Sequence, residues 1–106
     1  MTVIGVTQWK IHSGKNQEFF ANCAKAKAIQ ERLGAQSVRV FLNTFAGPGA
    51  GTVTYAIEHE NAEAQGAFSD KLNSDPEWQD FWHGVNNSDP SAEMISNSLI
   101  AEVSIG

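Results

Sequence analysis

One strand-helix-strand plan, written twice in succession, constrains this chain more than anything else in it. Residues Val3 to His12 read as a strand, Lys15 to Leu33 as a helix and Ser37 to Phe45 as a second strand. Thr52 to His59, Ala62 to Gly84 and Met94 to Ile105 then repeat the order. The repeat is one of elements; residue identity between the halves is negligible. A βαββαβ order predicts an α+β, ferredoxin-like fold with a four-stranded antiparallel sheet. Helices from both halves cover one sheet face, so the other face needs a different cover.

With 106 residues, residues 1–106 are expected to form a single domain. A chain of this size buries roughly two-thirds of its unfolded surface, enough for one core without staples. The hydrophobic content of 42% against 18% charged residues argues against disorder. The net charge is -5 and no run of Lys or Arg occurs. Phosphate neutralisation is therefore missing, which excludes nucleic acid as an expected partner, and no basic helix suits a membrane surface. Cys23 is the only cysteine, so neither an internal disulfide nor a four-cysteine zinc site is available. The first residues alternate in polarity and lack both a basic n-region and an apolar h-region, so a signal peptide is not expected. No segment reaches transmembrane length. The cytoplasm is the expected compartment.

Local signals support the element plan. Ser13 is the expected N-cap of the first helix, since a hydroxyl there accepts a free amide. That helix carries Phe19, Cys23, Ala26 and Leu33 on one stripe, with Ile29 at its edge. Gly34 is a C-terminal stop. The second helical segment holds Ala64, Ala67, Phe68 and Leu72 and breaks at Asp75-Pro76. There Asp75 can cap and Pro76 can take the first helical position. Trp78, Phe81, Trp82 and Val85 then recur at helical spacing, and the default reading of them is core.

The second strand has two faces: Val38, Val40 and Leu42 on one, Arg39, Phe41, Asn43 and Phe45 on the other. The aliphatic face suits the helices. Phe41 and Phe45 are left on the open side, and each exposed phenylalanine forfeits roughly 1.5 to 3 kcal/mol. A second subunit is the economical cover, so a homodimer is expected. Arg39, Asn43, Ser96 and Ser98 share that side. An apolar space with a few fixed polar groups is the usual make-up of a ligand pocket.

At this point the chain resembles the dimeric α+β barrel superfamily, which includes NIPSNAP-like proteins, antibiotic-biosynthesis-type monooxygenases and heme-degrading monooxygenases. His12-Ser13-Gly14-Lys15 leading to Glu18-Phe19 is similar to the family's strand-to-helix turn. Gly51-Thr52-Val53 is similar to its third-strand entry. Ala67-Phe68-Ser69-Asp70 and Leu72 to Gln79 are similar to its second helix. The Asp-Pro-Glu-Trp-Gln stretch points to NIPSNAP-like members. The resemblance implies a dimeric α+β barrel. The heme-degrading branch uses an Asn, a Trp and a His at positions that fall here on Thr7, Lys71 and Phe81. None of the three matches, so heme chemistry is not expected. The His that antibiotic-type monooxygenases often carry near Ala67 or Phe68 is also missing.

The remaining motifs point to no cofactor and no metal. The Gly47 to Gly51 loop joins two strands and lacks the Lys of a phosphate-binding loop, so a hairpin is expected. His12 and His59 fall at opposite ends of the sheet and His83 on a helix. Solvated or hydrogen-bonded histidines are therefore expected. Cys23 lies on an apolar stripe and reads as packing. Arg39 needs an anionic partner on a semi-apolar face. That partner is either a neighbouring carboxylate such as Glu102 or the carboxylate or enolate of a ligand.

Two functional readings follow. In the first, the chain is a binding protein for a small aromatic or acidic ligand. In the second, it is a cofactor-independent monooxygenase or isomerase acting on a small aromatic or polyketide-like molecule. In either case Arg39 would hold an anion and Asn43 would orient it. Trp9 and Phe41 would stack, and Thr7, Ser96 and Ser98 would complete the site.

Overall fold

The computed structural model describes residues 1–44, 51–87 and 89–106. Its elements run β1 (Val3–Ile11), α1 (Asn16–Arg32), β2 (Ser37–Leu42), β3 (Val53–His59), α2 (Ala62–Ser74), α3 (Pro76–Val85) and β4 (Ala92–Ala101). The strands form one antiparallel sheet in the order β2-β3-β1-β4. This is the ferredoxin-like α+β plan that the sequence predicts, with the second helical segment divided in two. The expected hairpin at Gly47 to Gly51 and the aromatic position Phe45 fall almost wholly outside the described residues; Gly51 alone is within them.

The boundaries differ from expectation for local reasons. Ser13 is not the cap of α1. Gly14 takes a left-handed φ of 77° and the Lys15 amide bonds the His12 carbonyl at 3.0 Å. That turn inserts a step between Ser13 and the helix, leaving Lys15 at the N-cap position without a side-chain cap. Gly34, with φ of 108°, ends α1 as expected, a conformation that a Cβ disfavours. At Asp75-Pro76 the sequence reading holds: the Asp75 carboxylate accepts from the Trp78 amide at 2.9 Å, and Pro76 opens α3. β4 stops at Ala101 rather than Ile105 because its partner is exhausted. Val3 pairs with Ala101, and the Glu102 amide to the Thr2 carbonyl, at 2.9 Å, lies just beyond the strand.

Register assigns the faces. Val38, Val40 and Leu42 lie beside Ile57, Tyr55 and Val53, on the side of the helices. The core there joins Ala26, Ala35, Val38, Tyr55 and Phe68, and Val53 is wholly inaccessible. Each large side chain so buried contributes roughly 1.5 to 3 kcal/mol. Ile29, at the edge of the stripe of α1, is 5% exposed, so the buried face reaches that edge. Gln30 is buried next to it. Val40 and Leu42 share the helix side yet stay exposed, because the helices cover the Val38 end of β2 and not its Leu42 end. The molecule is 17 Å in its shortest dimension, the depth of one sheet and one helical layer.

Ion pairs hold α1 at both ends. Lys15 Nζ lies 2.7 Å from Asp89, and this hydrogen bond holds the Asp89 carboxyl below the usual range. Arg32 reaches Asp75 at 2.7 Å and Glu77 at 2.9 Å. Its hydrogen bond and the Trp78 amide both lower the Asp75 carboxyl. The pair at Arg32 therefore fixes the end of α1 to the junction of α2 and α3.

His59 is expected to be solvated or hydrogen-bonded; it is not solvated, and its Nδ1 is not hydrogen-bonded among the described residues. It is 3% exposed at the end of β3, and its ring lies 4.8 Å from that of Phe68. Burial lowers its proton affinity. A folded-state pKa below the unfolded one means that unfolded chains bind the extra proton. Stability should thus be intact above about pH 6.5 and decline as the pH falls below it. Urea midpoints measured from pH 7.5 to pH 5 should fall for the wild type and fall less for His59→Leu. Parallel slopes in the two proteins would assign the pH dependence elsewhere.

Candidate functional site

The side chains proposed from sequence divide between the two faces of the sheet. Thr7 and Trp9 of β1 pair with Tyr55 and Val53 of β3, so they face the helices. Arg39 and Phe41 pair with Ala56 and Thr54, on the opposite, uncovered face. Ser96 and Ser98 pair with Gln8 and Val6 and lie on that uncovered face as well. Trp9 and Phe41 therefore cannot stack on one ligand, since the sheet lies between them. Asn43 joins the uncovered side: its Nδ2 donates to Thr52 Oγ1 at 2.7 Å and its Oδ1 accepts from Thr54 at 3.4 Å.

Arg39 is partnered within the protein. Its guanidinium lies 3.5 Å from Glu58 and 5.6 Å from the centre of the Phe41 ring. Glu102, the partner named from sequence, follows β4 at the other edge of the sheet, out of reach of β2. With about half of its side chain exposed, Arg39 forms a surface pair, the kind worth at most about 1 kcal/mol.

A half-open cleft lies on the other side, between the sheet and helices α1 and α3. A cavity of about 290 Å³ is floored by Thr7, Trp9, Tyr55 and Ile57. Phe19, Cys23, Ala26 and Gln30 of α1 roof it, and Trp78, Phe81, Trp82 and Val85 of α3 wall it. The α3 rings, read from sequence as core, line this space; Trp78 and Trp82 stack with centroids 5.6 Å apart. Among the described residues, none that lines it is Asp, Glu, Lys, Arg or His. Trp9, Trp82, Asn86, Ala92 and Met94 also border an outer depression where His12 and Glu93 appear. There His12 Nδ1 donates to the Pro90 carbonyl at 2.8 Å.

Besides Asn22, Asn86, Ser91 and Asn97, two hydrogen-bonded polar pairs are set in the mostly apolar lining. The Tyr55 hydroxyl donates to Gln30 Oε1, joining β3 to α1 inside the core. Trp9 Nε1 donates to Thr7 Oγ1 at 2.8 Å. Burial pushes the Tyr55 phenol well above its ordinary value, with Cys23 and Glu31 adding to the effect. Burial also raises the Cys23 thiol to about 11. Both lining groups that can titrate are neutral at pH 7. Among the described residues no group of three or more His, Cys, Asp or Glu could hold a metal. Phe81, at the position of the heme-branch histidine, presents only a hydrocarbon ring to the cavity. Lys71 is exposed on α2.

Sequence reading missed Gln30 and Tyr55, and the signal was present. Gln30 follows Ala26 by four residues and Cys23 by seven, which places it on the apolar stripe of α1.

The architecture is that of a ferredoxin-like α+β domain with an aromatic cavity beneath its helices and one bare sheet face. Solved structures share it. A NIPSNAP-like domain protein from Burkholderia xenovorans superposes with a TM-score of 0.71 at 16% identity, over 99% of this chain and 88% of that one. A NIPSNAP family protein from Agrobacterium tumefaciens C58 gives 0.72 at 19% identity, over 99% and 89%. A Bacteroides thetaiotaomicron protein, described as of unknown function and "Possible Oxidoreductase", gives 0.66 at 10% identity, over 93% and 95%. At such identities the likeness establishes the fold, and it is the NIPSNAP-like fold that the sequence motifs imply. No protein-family model matches the chain, and no curated protein does. No helix among the described residues is long and apolar enough to cross a membrane.

A thiol raised from 9.0 to about 11 holds about a hundredfold less thiolate at a given pH. Alkylation of Cys23 by iodoacetamide at pH 8, followed by intact mass, should be slower than that of a free cysteine peptide by about this factor. Labelling at the peptide rate would show the thiol to be activated.

Proposed function

We propose that the chain is a small-molecule-binding protein whose site is the cavity between the sheet and α1 and α3. The observation that carries this is a half-open, largely aromatic cleft of about 290 Å³ with two fixed polar pairs in its lining. Such a space is close to the lower end of ligand-pocket volumes, about 300 to 1,000 Å³. Thr7 and Trp9 belong to the proposed site. Arg39, Phe41, Asn43, Ser96 and Ser98 do not, because they lie across the sheet. The reading is one of binding, not catalysis. A general base works best with a pKa near the operating pH, and burial moves both titratable lining groups away from it. The monooxygenase and isomerase alternative therefore has no acid or base in the lining to support it.

The neutral fluorophore N-phenyl-1-naphthylamine should bind saturably, one per chain, with increased emission. Ala92→Phe puts a ring at the edge of the cavity, where Ala92 is only half-buried, and should weaken binding about tenfold, or 1.4 kcal/mol. Non-saturable partitioning, unaltered by the substitution, would remove the cavity as a site.

The uncovered face supports a homodimer as the second part of the proposal. Phe41 is 45% exposed and Ile100 50% exposed, and both lie on this face with Ile4 and Val6 between them. A two-fold pairing of such faces buries the aromatic and aliphatic side chains of both copies at once. Light scattering at micromolar concentration should give twice the chain mass, and Phe41→Glu should give a folded monomer. A wild-type monomer at these concentrations would defeat this part and leave the cavity reading untouched.

A further inference from the structure

The lining of the cavity selects for the charge and hydrogen-bonding character of its occupant. A bound ion would lose its hydration there with no opposite charge to compensate, and none of the residues facing the cavity supplies one. An uncharged molecule loses nothing of the kind.

Gln30 narrows the choice further. It is 4% exposed and lines the cavity. Its Oε1 is occupied by the Tyr55 hydroxyl, and among the described residues Nε2 has no acceptor within bonding distance. Gln30 Nε2 is not among the fully enclosed atoms without a partner, where His59 Nδ1 alone stands among the described residues, so this donor is open to the cavity it lines. The Tyr55 phenol, having given its proton to Gln30, presents lone pairs alone. Trp9 cannot serve as a donor, because its Nε1 hydrogen is taken by Thr7 Oγ1. Thr7, Asn22, Ser91 and Asn97 also bring polar groups to the lining, but Gln30 is the most buried of its polar residues, so its amide is the donor at the deepest part of the cavity. A molecule seated against it needs an acceptor that remains neutral at pH 7, together with a flat apolar body for the rings of α3.

We infer that the ligand is an uncharged aromatic carbonyl compound whose carbonyl oxygen accepts a hydrogen bond from Gln30 Nε2. The inference rests on the proposal that the cavity is a binding site. Gln30 would be the residue that distinguishes a ketone or quinone type of ligand from a hydrocarbon of the same shape. The lack of charge in the lining distinguishes it from a carboxylate.

Three bicyclic probes of matched shape test this by calorimetry on the full chain: 2-acetylnaphthalene, 2-ethylnaphthalene and 2-naphthoate. Gln30→Leu alone leaves the Tyr55 hydroxyl without an acceptor, so the Gln30→Leu, Tyr55→Phe double variant serves as well. Replacing both partners of a buried bond by apolar groups of the same shape is nearly neutral to stability. The ketone should bind wild type about tenfold more tightly than the carboxylate. The double variant should weaken the ketone by about five- to tenfold and leave the hydrocarbon unchanged. A ketone affinity equal in wild type and double variant would overturn the role of Gln30, while binding of ketone and hydrocarbon alike would keep the cavity reading. A carboxylate that binds most tightly would overturn the charge selection. Failure of all three probes, with no saturable N-phenyl-1-naphthylamine site, would overturn both the inference and the proposal on which it rests.

Discussion

The hydrogen bond from Tyr55 to Gln30 determines where α1 stands over the sheet. It connects an inner strand to the last turn of the longest described helix inside the core, where water cannot replace either partner. The ion pairs at Lys15 and Arg32 bear on the same helix from its two ends. They are exposed and add little energy, but they restrain its direction. A helix held in this way at its two ends spans the sheet between them, and there small side chains face the strands. Cys23 and Ala26 are the small residues of α1 over that region, and the space they leave is bounded by the rings of α3. The cavity thus follows from a polar contact that sets the spacing of two layers.

The two-layer plan has a second consequence at the sheet edges. β2 and β4 are the outer strands, and β4 keeps large apolar side chains accessible on both of its faces: Ile100 on one, Leu99 and Met94 on the other. An edge strand with this composition tends to pair or pack with another chain. The bare face and the exposed edge meet at β4, so any cover for one reaches the other.

Much of this was legible in the residues. Alternation in Val38 to Asn43 assigned both faces of β2, and Asp75-Pro76 located the division between two helices down to its capping contact. The whole order of elements followed from periodicity. The site was less legible, because it depends on how strands of different parity align. Trp9 and Phe41 are both aromatic strand residues, and only the pairing of β1 and β2 through β3 puts them on opposite sides. Gln30 read as a surface residue because its type is usually solvated; its partner, twenty-five positions away, exists only after folding. His59 was misjudged for a related reason. The strand end that it occupies is solvent-facing in a flat sheet, but here Phe68 closes over it.

The register of β4 contains a shift between Gln8 and Trp9. Gln8 stands opposite Ser96 and Trp9 opposite Met94, so Ile95 has no counterpart on β1. Beyond that point Met94 and Ala92 face the helices and Glu93 stands beside Lys10 on the far side. In an unbroken ladder Trp9 would oppose Ile95 and Ile11 would oppose Glu93, and a carboxylate would point toward the same side as the cavity. The strand would then turn a negative charge into the cavity, whereas Glu93 now lines only the outer depression beside it. One supernumerary residue in an edge strand is in this sense an electrostatic element. It inverts the parity of the chain where an acidic side chain approaches the aromatic wall, and it pairs that side chain with a lysine on the outer surface.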